Sequence, residues 1–525
     1  MLRQIGLFAL LVLGITCLPA GSAMADPYPV TNTNDSGTGS LRAAILAANA
    51  DPEADTIPIE ATGTINLQTA LQVIFRPVSI VGPGAGQLEV RRSDSAGSFS
   101  VFGFSEASSS LTGLTVSNGQ AAFGGGIRIS EEASLTLTRV VVRDNEATEE
   151  GGTEAGAEGG GIYSEGPLTL RETVVSGNAA RASDGSTLTK ALGGGVVVTA
   201  PLTVEASTIS DNVAEASSDG STVTAQGGGL LGGTEATISR STISGNAVDA
   251  DGGADQLRAQ GGGIQTYEAA ITTSTLAGNS ATSAGLALGA NLHSILSTSV
   301  RGTLVANPLG GADSCSGAGP PGSQEIDSSG FNLDEDGSCE FGEGSDLVGV
   351  VAGLDPVLKD NGGPTPTHAL LAGSIAIDRG NSFGQTSDQR GLPRPSDFPE
   401  ISNKEGGDGS DLGAFELQVP PLVPASPILV QAVQGDRTPP NTRIVSGPAR
   451  ITFERQAKFR FASTEAQSRF QCKVDKRPWK GCRNPFKRKV KAGAKHLFKV
   501  RAIDRFGNVD RSPAQFGWRV EKVGG

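Results

Sequence analysis

Three consecutive glycines followed by an aliphatic residue return at a nearly fixed interval in the chain. The glycine triplets begin at Gly124, Gly159, Gly193, Gly227 and Gly261. Successive starts are separated by 35, 34, 34 and 34 residues. A constant period of this length indicates one structural unit that is stacked on itself.

The residues between the glycine triplets predict the kind of unit. Residues 135–142, 168–170 and 202–204 alternate aliphatic or β-branched side chains with polar ones, which is the two-residue period of a strand. A single repeat cannot bury its apolar row, whereas identical rows stacked about 4.8 Å apart can do so. The sequence therefore predicts an all-β fold, a right-handed parallel β-helix.

A single asparagine closes each repeat. These residues are Asn145, Asn178, Asn212, Asn246 and Asn279. We expect them to form a structural ladder at a tight turn, where asparagine tolerates the left-handed conformation and its amide can bond to the amide of the next coil. Ligand contact is the alternative role. The polar segments that follow, such as residues 146–158 and 215–226, predict surface loops of variable sequence.

The first 25 residues predict an export signal. Arg3 precedes an apolar run at residues 7–18, and small residues follow at 23–25. This order is typical of a secretory signal peptide that is cleaved before Asp26. No later stretch is long and apolar enough to cross a bilayer. We therefore expect a secreted or cell-surface protein without a transmembrane segment.

Four cysteines remain after the predicted cleavage, and four cysteines allow three pairings. They are Cys315, Cys339, Cys472 and Cys482. A composition shift separates the first two from the last two, so we predict the bridges Cys315–Cys339 and Cys472–Cys482. Each bridge would add roughly 2–4 kcal/mol in an oxidising compartment.

The formal net charge of −13 conceals an asymmetry. Residues 436–525 carry 23 Lys and Arg against 7 Asp and Glu, a balance of +16. Residues 1–435 carry 19 against 48, a balance of −29. The acidic part should repel polyanions and the basic part should attract them, so at least two domains are implied.

Composition divides the chain into six regions. They are a signal peptide (1–25), an N-terminal cap (26–56), a parallel β-helix with a disulfide-closed excursion (57–353), an irregular region (354–418), a Pro-rich linker (419–440) and a small basic β-sandwich (441–525). In the cap, Ser40 can begin a short helix that Asn49 ends and that covers the end of the solenoid.

Two segments of the acidic part resemble bacterial surface proteins. Residues 39–49 are similar to the Cys-Ser-Leu-Arg-Glu-Ala segment at the start of many surface β-helix proteins, with Gly39 and Ala43 as departures. The matching residues are Ser40, Leu41, Arg42, Ala44, Ile45 and Asn49. A second series of motifs spans residues 354–417: Leu-Asp-Pro at 354–356, Asp-Asn-Gly-Gly-Pro at 360–364, Asp-Arg-Gly at 378–380, Asp-Gln-Arg-Gly at 388–391 and Asp-Leu-Gly-Ala-Phe-Glu at 411–416. It resembles the choice-of-anchor Q region, which in such proteins follows a right-handed β-helix and precedes an attachment device. The resemblance implies a cell-surface or secreted protein and supplies no active site.

Charged residues of the irregular region predict a structural cluster. They are Asp378, Arg379, Asp388, Arg390, Asp411 and Glu416. We expect buried ion pairs that pin irregular loops onto the last coil. A site for calcium or sugar is the alternative.

The basic region resembles bacterial Ig-like modules. The resemblance rests on Phe-x-Cys at 470–472, Trp-x-x-Cys at 479–482 and Asp-x-x-Gly-Asn-Val at 504–509. Strand-like alternation at 457–461, 469–474, 495–502 and 515–520 predicts a small sandwich with a hairpin turn at 475–481. We expect this basic module to be the attachment device.

An enzyme is the alternative function, because β-helix proteins include polysaccharide lyases and hydrolases on pectate-lyase-like scaffolds. Such a lyase needs grouped acidic calcium ligands and a Lys or Arg base. The acidic residues of the repeat loops stand at different offsets, and His293, His368 and His496 are far apart in sequence. We assign no catalytic, cofactor-binding or metal residue, with Ca²⁺ as the one cofactor considered.

The sequence favours a structural or adhesin-like protein that presents a β-helix face at the cell surface. Its basic module would contact cell-wall or extracellular polysaccharide, or another polyanion. Basic residues at 487–495 are also compatible with nucleic acid, but an exported chain has little access to it, and we expect no such partner. The sequence predicts neither the ligand nor the oligomeric state.

Overall fold

A computed structural model describes residues 27–53, 55–185, 187–220, 222–233, 235–253, 256–319, 325–419, 438–466 and 468–522. The predicted signal peptide and residues 420–437 of the predicted linker lie outside the described residues. The chain divides into two compact units, Met1–Pro420 and Pro421–Gly525.

The first unit is a parallel β-helix, which confirms the predicted fold class. A typical coil has the strands Ile162–Ser164, Leu168–Arg171, Val174–Ser176, Ala179–Ser183 and Leu188–Leu192. Each strand pairs in parallel with the strand 33–35 residues away, so Thr169 lies beside Thr136 and Thr203. The aliphatic residues of the first three of these strands point inward and form one continuous core. The fixed period therefore sets the register of the solenoid.

Sheet 1 contains 16 strands within the described ranges, arranged in two rows that share two long strands. The first row is Asp55–Pro58, Val78–Val81, Ser108–Thr112, Ser134–Thr138, Leu168–Arg171, Leu202–Glu205, Ala236–Ser239, Ile264–Thr272, Leu292–Arg301 and Ile326–Ser328. The second row adds Phe102–Phe104, Ile127–Ile129, Ile162–Ser164, Val196–Val198, Leu230–Gly232 and Cys315–Gly317.

Sheet 2 runs along the neighbouring side of the solenoid. Its strands, among the residues that the structure describes, are Gly63–Leu67, Leu88–Arg92, Thr115–Ser117, Val141–Arg143, Val174–Ser176, Thr208–Ser210, Thr242–Ser244, Thr275–Ala277, Leu304–Ala306, Leu333–Asp334 and Leu347–Val348. The inward column of this sheet is aliphatic from Val116 to Val305 and ends at the buried Asp334.

The segments that were predicted to be loops are strands. Sheet 3 contains Gln120–Ala121, Glu146–Glu150, Ala179–Ser183, Val213–Ser217, Ala247–Asp251 and Ser280–Ser283. Sheet 4 contains Glu154–Glu158, Leu188–Leu192, Thr222–Gln226, Gln256–Gln260 and Leu286–Leu288. The two sheets pack through buried small residues, mostly alanine, and together we call them the fin. Alanine is depleted in strands, so its alternation is a weak strand signal in the sequence.

The glycine triplets and the asparagines form the neck of the fin. A Cβ atom on Gly229 would lie 2.8 Å from Cγ of Asn246 and 2.7 Å from the carbonyl oxygen of Gly263. The first glycine of the same triplet, Gly227, has a φ of +61°, which a larger residue adopts at a cost. The chain therefore leaves the solenoid at the asparagine and returns at the glycines, with the two walls in contact.

One helix covers the start of the solenoid. Helix α1 spans Leu41–Ala50, and Oγ of Ser40 accepts a hydrogen bond from the amide of Ala43, as an N-cap does. The buried face includes Leu41 and Ile45. Asn49 does not end the helix, because it lies inside it and bonds to Val73 and Phe75 of the strand region below.

The disulfide-closed segment is a continuation of the solenoid and not an excursion from it. Cys315–Gly317 and Ile326–Ser328 pair in parallel with Leu292–Arg301, and Leu333–Asp334 pairs with Leu304–Ala306. The disulfide between Cys315 and Cys339 joins this last region of coils. The predicted pairing of the four cysteines is confirmed.

Residues 354–419, which we call the fold-back segment, lie along the outer face of sheet 2. Gln389 donates to Oγ1 of Thr208 (2.9 Å) and accepts from Oγ1 of Thr242 (2.6 Å). One coil further on, the amide of Ala414 donates to Oγ1 of Thr275. These threonines belong to three successive coils. The region does pack on the last coils, as expected, but its contacts also reach back several coils.

The described residues of the second unit form two mainly antiparallel sheets. Sheet 5 contains Thr442–Ser446, Gln456–Ser463 and Phe486–Lys489. Sheet 6 contains Ile451–Thr452, Arg469–Val474, Lys480–Gly481, Ala494–Ile503 and Ala514–Val520. Aromatic side chains fill the space between them, with the rings of Phe459 and Phe498 stacked at 4.0 Å. The disulfide Cys472–Cys482 fixes the hairpin at one end of sheet 6.

Candidate functional site

The asparagines of the repeat lie in one buried column. The side-chain amide of Asn178 donates to Oδ1 of Asn212 at 2.9 Å, and Asn212 donates to Asn246 at the same distance. The backbone amide of Asn178 donates to the same Oδ1 of Asn212. The links from Asn145 to Asn178 and from Asn246 to Asn279 repeat this geometry. These side-chain amides are therefore engaged within the column, which is a structural role.

Two features of the column differ from expectation. The left-handed residue is the one before each asparagine, such as Asp211 (φ 55°) or Gly245 (φ 71°), so the predicted conformation of the asparagines is wrong. The column also continues to Asn291, which accepts from Asn279 at 2.8 Å. Asn291 stands at the third position of a degenerate glycine motif. It accepts the hydrogen bond from Asn279 because Pro308 occupies the position where the next asparagine of the column would stand. The sequence signal was Gly289-Ala290-Asn291 in place of three glycines.

The charged cluster of the fold-back segment is buried, and it contains an arginine that the sequence reading missed. Nε of Arg394 lies 2.8 Å from Oε2 of Glu416, and both side chains are fully buried. Nη2 of Arg390 lies 2.7 Å from Oδ2 of Asp388. Among the residues described, Arg379 makes no ion pair. The cluster therefore assembles with Arg394 in the place that was predicted for Arg379.

The same cluster holds more carboxyl groups than guanidinium groups. The amide of Asp378 donates to Oδ1 of Asp411, which places these two residues side by side. Burial, followed by the charge of Glu416, raises the pKa of Asp411 to about 8. Burial also raises the pKa of Asp378 to about 6. Protons bound to these carboxyls offset the excess negative charge below those values.

Among the described fin strands, Glu215 and Asp249 stand in register, whereas the other acidic residues lie beside non-acidic ones, as their different offsets predicted. Arg181, Glu215 and Asp249 occupy one column on successive strands of sheet 3. Nε of Arg181 lies 3.4 Å from Glu215 and 3.5 Å from Glu146. Burial, then the charges of Asp251 and Glu215, raises the pKa of Asp249 to about 6. In the described part of the chain, no three His, Cys, Asp or Glu side chains converge on one point as metal ligands.

Each histidine has its own polar partners. Nδ1 of His293 lies 2.8 Å from Oγ of Ser316, and burial lowers the pKa of His293. Nε2 of His368 lies 2.7 Å from Oγ of Ser244 on sheet 2. In the second unit, His496 contacts Asp475 at 2.8 Å. His293 therefore links neighbouring coils of the solenoid, and His368 links the fold-back segment to sheet 2.

The outer face of sheet 5 is cationic. We call its exposed side chains the flat face: Lys458, Arg460, Lys487 and Lys489. Lys458 stands directly opposite Lys487 across the strand pair. Within the described residues, none of the four forms an ion pair with a carboxylate. Like charges in opposing positions destabilise a sheet and give this face a strongly positive potential.

Sheet 6 presents an aromatic residue among cations. Nζ of Lys473 lies 5.1 Å from the centroid of the Trp479 ring, and Cζ of Arg501 lies 4.6 Å from it. Both Nε and Nη2 of Arg501 donate to Oε1 of Gln471, which fixes the guanidinium group. Lys499 is opposite Lys473 on the neighbouring strand. The second unit thus carries cations on both outer faces, and this cationic surface is the candidate functional site.

Comparison with known proteins gives two structural likenesses. The A-module of Azotobacter vinelandii mannuronan C-5 epimerase AlgE4 is 14% identical over 58% of this chain and 93% of its own, with a TM-score of 0.28. The A-module of AlgE6 from the same organism is 15% identical over 55% of this chain and 97% of its own, with a TM-score of 0.20. No protein-family model and no curated protein matches the chain.

One further observation concerns membranes. Among the described residues, helix α1 is short, and no helix is long and apolar enough to cross a bilayer.

Proposed function

We propose that this protein is a secreted or cell-surface structural, adhesin-like protein that uses its basic C-terminal unit to hold acidic polysaccharide. The solenoid then serves as the displayed body. Two disulfides support an oxidising, extracellular compartment, where wall polymers and acidic polysaccharides are the accessible polyanions.

The observation that carries this proposal is the flat face together with the cations of sheet 6. Residues 436–525 have a balance of +16, whereas residues 1–435 have a balance of −29. On the flat face, like charges oppose one another with no carboxylate partner among the described residues. The approach of a polyanion lowers the free energy of such a surface. This stabilisation decreases as salt screens the charges.

We also propose the finer assignments that the sequence suggested. Residues 354–418 form a choice-of-anchor Q-like region, residues 441–525 form an Ig-like module, residues 39–49 are a degenerate Cys-Ser-Leu-Arg-Glu-Ala segment, and residues 1–25 direct export. In this arrangement the fold-back segment covers the outer face of sheet 2 and is held there by the hydrogen bonds of Gln389 with its threonine partners. The basic module is then the attachment device.

The test measures binding of the full chain to immobilised polygalacturonate, with neutral dextran as the control polymer. We expect binding to polygalacturonate alone, with affinity at least about tenfold lower at 1 M salt than at about 0.05 M salt. Undiminished binding at 1 M salt, or no binding to any acidic polymer, contradicts the proposal.

The rival function is a polysaccharide lyase or glycoside hydrolase on the same scaffold. Fold alone does not decide between them, because one scaffold hosts unrelated activities. The same samples therefore receive an assay for unsaturated products and for new reducing ends, with and without Ca²⁺. Turnover that depends on Ca²⁺ would replace the binding function with an enzymatic one.

A further inference from the structure

We infer that the open edge of the C-terminal sandwich is a site for one anionic sugar unit of a longer polysaccharide. This inference rests on the proposed function and gives it a location. The site is a groove of about 160 Å³ between the hairpin of sheet 6 and the edge strand of sheet 5. We call it the edge groove, and the residues that line it include Arg477, Lys480, Phe486 and Arg488.

The chain builds the edge groove from two strand ends that belong to different sheets. Lys480–Gly481 is the edge strand of sheet 6, and Phe486–Lys489 is the edge strand of sheet 5. The disulfide Cys472–Cys482 ties the first of these to the neighbouring strand. The gap between the two sheets is therefore left open by the topology, with its walls held in place.

An aromatic ring forms the apolar part of the groove. The ring of Phe486 stacks on that of Phe498 inside the sandwich, with centroids 5.2 Å apart and planes at 20°. Phe486 itself is partly exposed toward the groove. Its position is thus fixed by the core on one side, and its other side is available to the C–H face of a ring. Water is easily displaced from such an apolar surface.

Cations surround this aromatic ring. Arg477, Lys480 and Arg488 are exposed. Within the described residues, none of these three side chains pairs with a carboxylate. Two of them are arginines, whose planar guanidinium groups bind carboxylate or phosphate oxygens in a bidentate manner. The groove therefore combines an apolar floor with a rim that selects anions.

The size of the groove limits its occupant. Pockets for drug-sized ligands have volumes of about 300–1,000 Å³, so a groove of about 160 Å³ accepts only a small unit. A sugar ring that bears a carboxylate or a phosphate has the required apolar face and anionic group. The whole polymer binds more tightly than one unit, because a neighbouring unit can enter the groove when the first leaves it. The charge of the flat face adds attraction for the same chain.

The flat face provides a matched control, because it is equally cationic but has no aromatic floor. The groove variant is Arg477→Gln, Lys480→Gln and Arg488→Gln, and the control variant is Lys458→Gln, Arg460→Gln and Lys489→Gln. Both remove three positive charges from exposed side chains of the same unit. The thermal midpoint of each full-length variant verifies that folding is unchanged.

Binding is measured to polygalacturonate, to a teichoic-acid-type polymer with phosphate, to neutral dextran and to double-stranded DNA. We expect the groove variant to lose at least about thirtyfold in affinity for the acidic polysaccharides, and the control variant about three- to tenfold, because the flat face contributes charge attraction but no groove contact. The ratio of the losses for the carboxylate and the phosphate polymer identifies the preferred anionic group.

Each outcome decides between the groove and the general function. Equal losses in both variants contradict the groove and leave charge-driven binding intact. Tight binding by the wild type with no loss in either variant contradicts the cationic surface as a whole, and no binding by the wild type contradicts the proposed function. Equal or tighter binding to DNA, lost in the groove variant, shows that the ligand class is wrong.

Discussion

The solenoid and the fold-back segment lie against each other but are stabilised in different ways. In the solenoid, equivalent side chains of successive coils form columns, as in the asparagine ladder from Asn145 to Asn291. In the fold-back segment, each polar contact is made once, as between Arg394 and Glu416 or between Gln389 and Thr242. The first region gains from repetition and the second from specific pairs.

This difference has an energetic consequence. A residue in a column has a neighbour of the same kind on each side, so the loss of one residue affects two links. A buried ion pair has one partner, but that partner keeps an uncompensated charge when the other is removed. We therefore expect single substitutions to be most costly in the fold-back segment, moderate in the ladder and smallest at carboxyls that can take up a proton.

The largest expected effect comes from Arg394→Met. The substitution leaves Glu416 buried without its cation, which costs about 3–5 kcal/mol in the free energy of unfolding. The matched control is Arg139→Met, because Arg139 pairs with Glu172 on the exposed surface, where a pair contributes at most about 1 kcal/mol. Urea unfolding at pH 7 measures both. A loss at Arg394 as small as that at Arg139 would remove the distinction between the two regions.

A moderate effect is expected from Asn212→Ala in the middle of the ladder. The backbone and side-chain amides of Asn178 both lose their acceptor, and a buried unsatisfied group costs about 1–3 kcal/mol. We expect a decrease of about 2–3 kcal/mol in the free energy of unfolding. The decrease is limited to this range because the coils above and below remain in register. The exposed Asn66→Ala should change it by less than about 0.5 kcal/mol. Similar values for both variants would show that the column is dispensable.

The smallest effect concerns two buried aspartates, Asp378 in the fold-back segment and Asp334 in the last coils. Burial raises the pKa of each to about 6, and each has one oxygen without a hydrogen bond among the described residues. A raised folded-state pKa gives stability that is complete below about pH 4 and is lost as the pH rises to about 6. Each group contributes at most about 1.4 kcal/mol per pH unit in this window.

Asparagine at either position keeps the accepting oxygen and supplies hydrogens permanently. The retained acceptors receive the amides of Phe398 and Cys339, respectively. We expect Asp378→Asn and Asp334→Asn to be less dependent on pH between 4 and 6 than the wild type, and at least as stable above pH 6. Thermal unfolding across this range tests both. Unchanged pH profiles would show that the stability change comes from other groups.

The sequence could not reveal the fin or the position of the fold-back segment. Alternating alanines such as Ala214 and Ala216 build the fin, but alanine at alternate positions is also common in loops and helices. Gln389 and Arg394 receive their roles from residues up to about 180 positions away. Contacts at such separations leave no periodic signal in a single sequence.

The candidate site was predictable only in part. The charge asymmetry identified the basic unit, because charge counts do not depend on folding. The register that places Lys458 opposite Lys487, and the edge that exposes Phe486 beside Arg477, depend on which strands pair and which are left at a sheet edge. Neither can be read from local alternation.

The sequence by itself determined the solenoid, its register and the column of asparagines. A 34-residue period forces like residues into columns, and this holds whatever the coil looks like in cross-section. Tertiary structure alone decided where the fold-back segment lies, which arginine pairs with Glu416 and where the edge groove of the basic unit lies. Those features depend on single long-range contacts and on unpaired edges, which repetition does not encode.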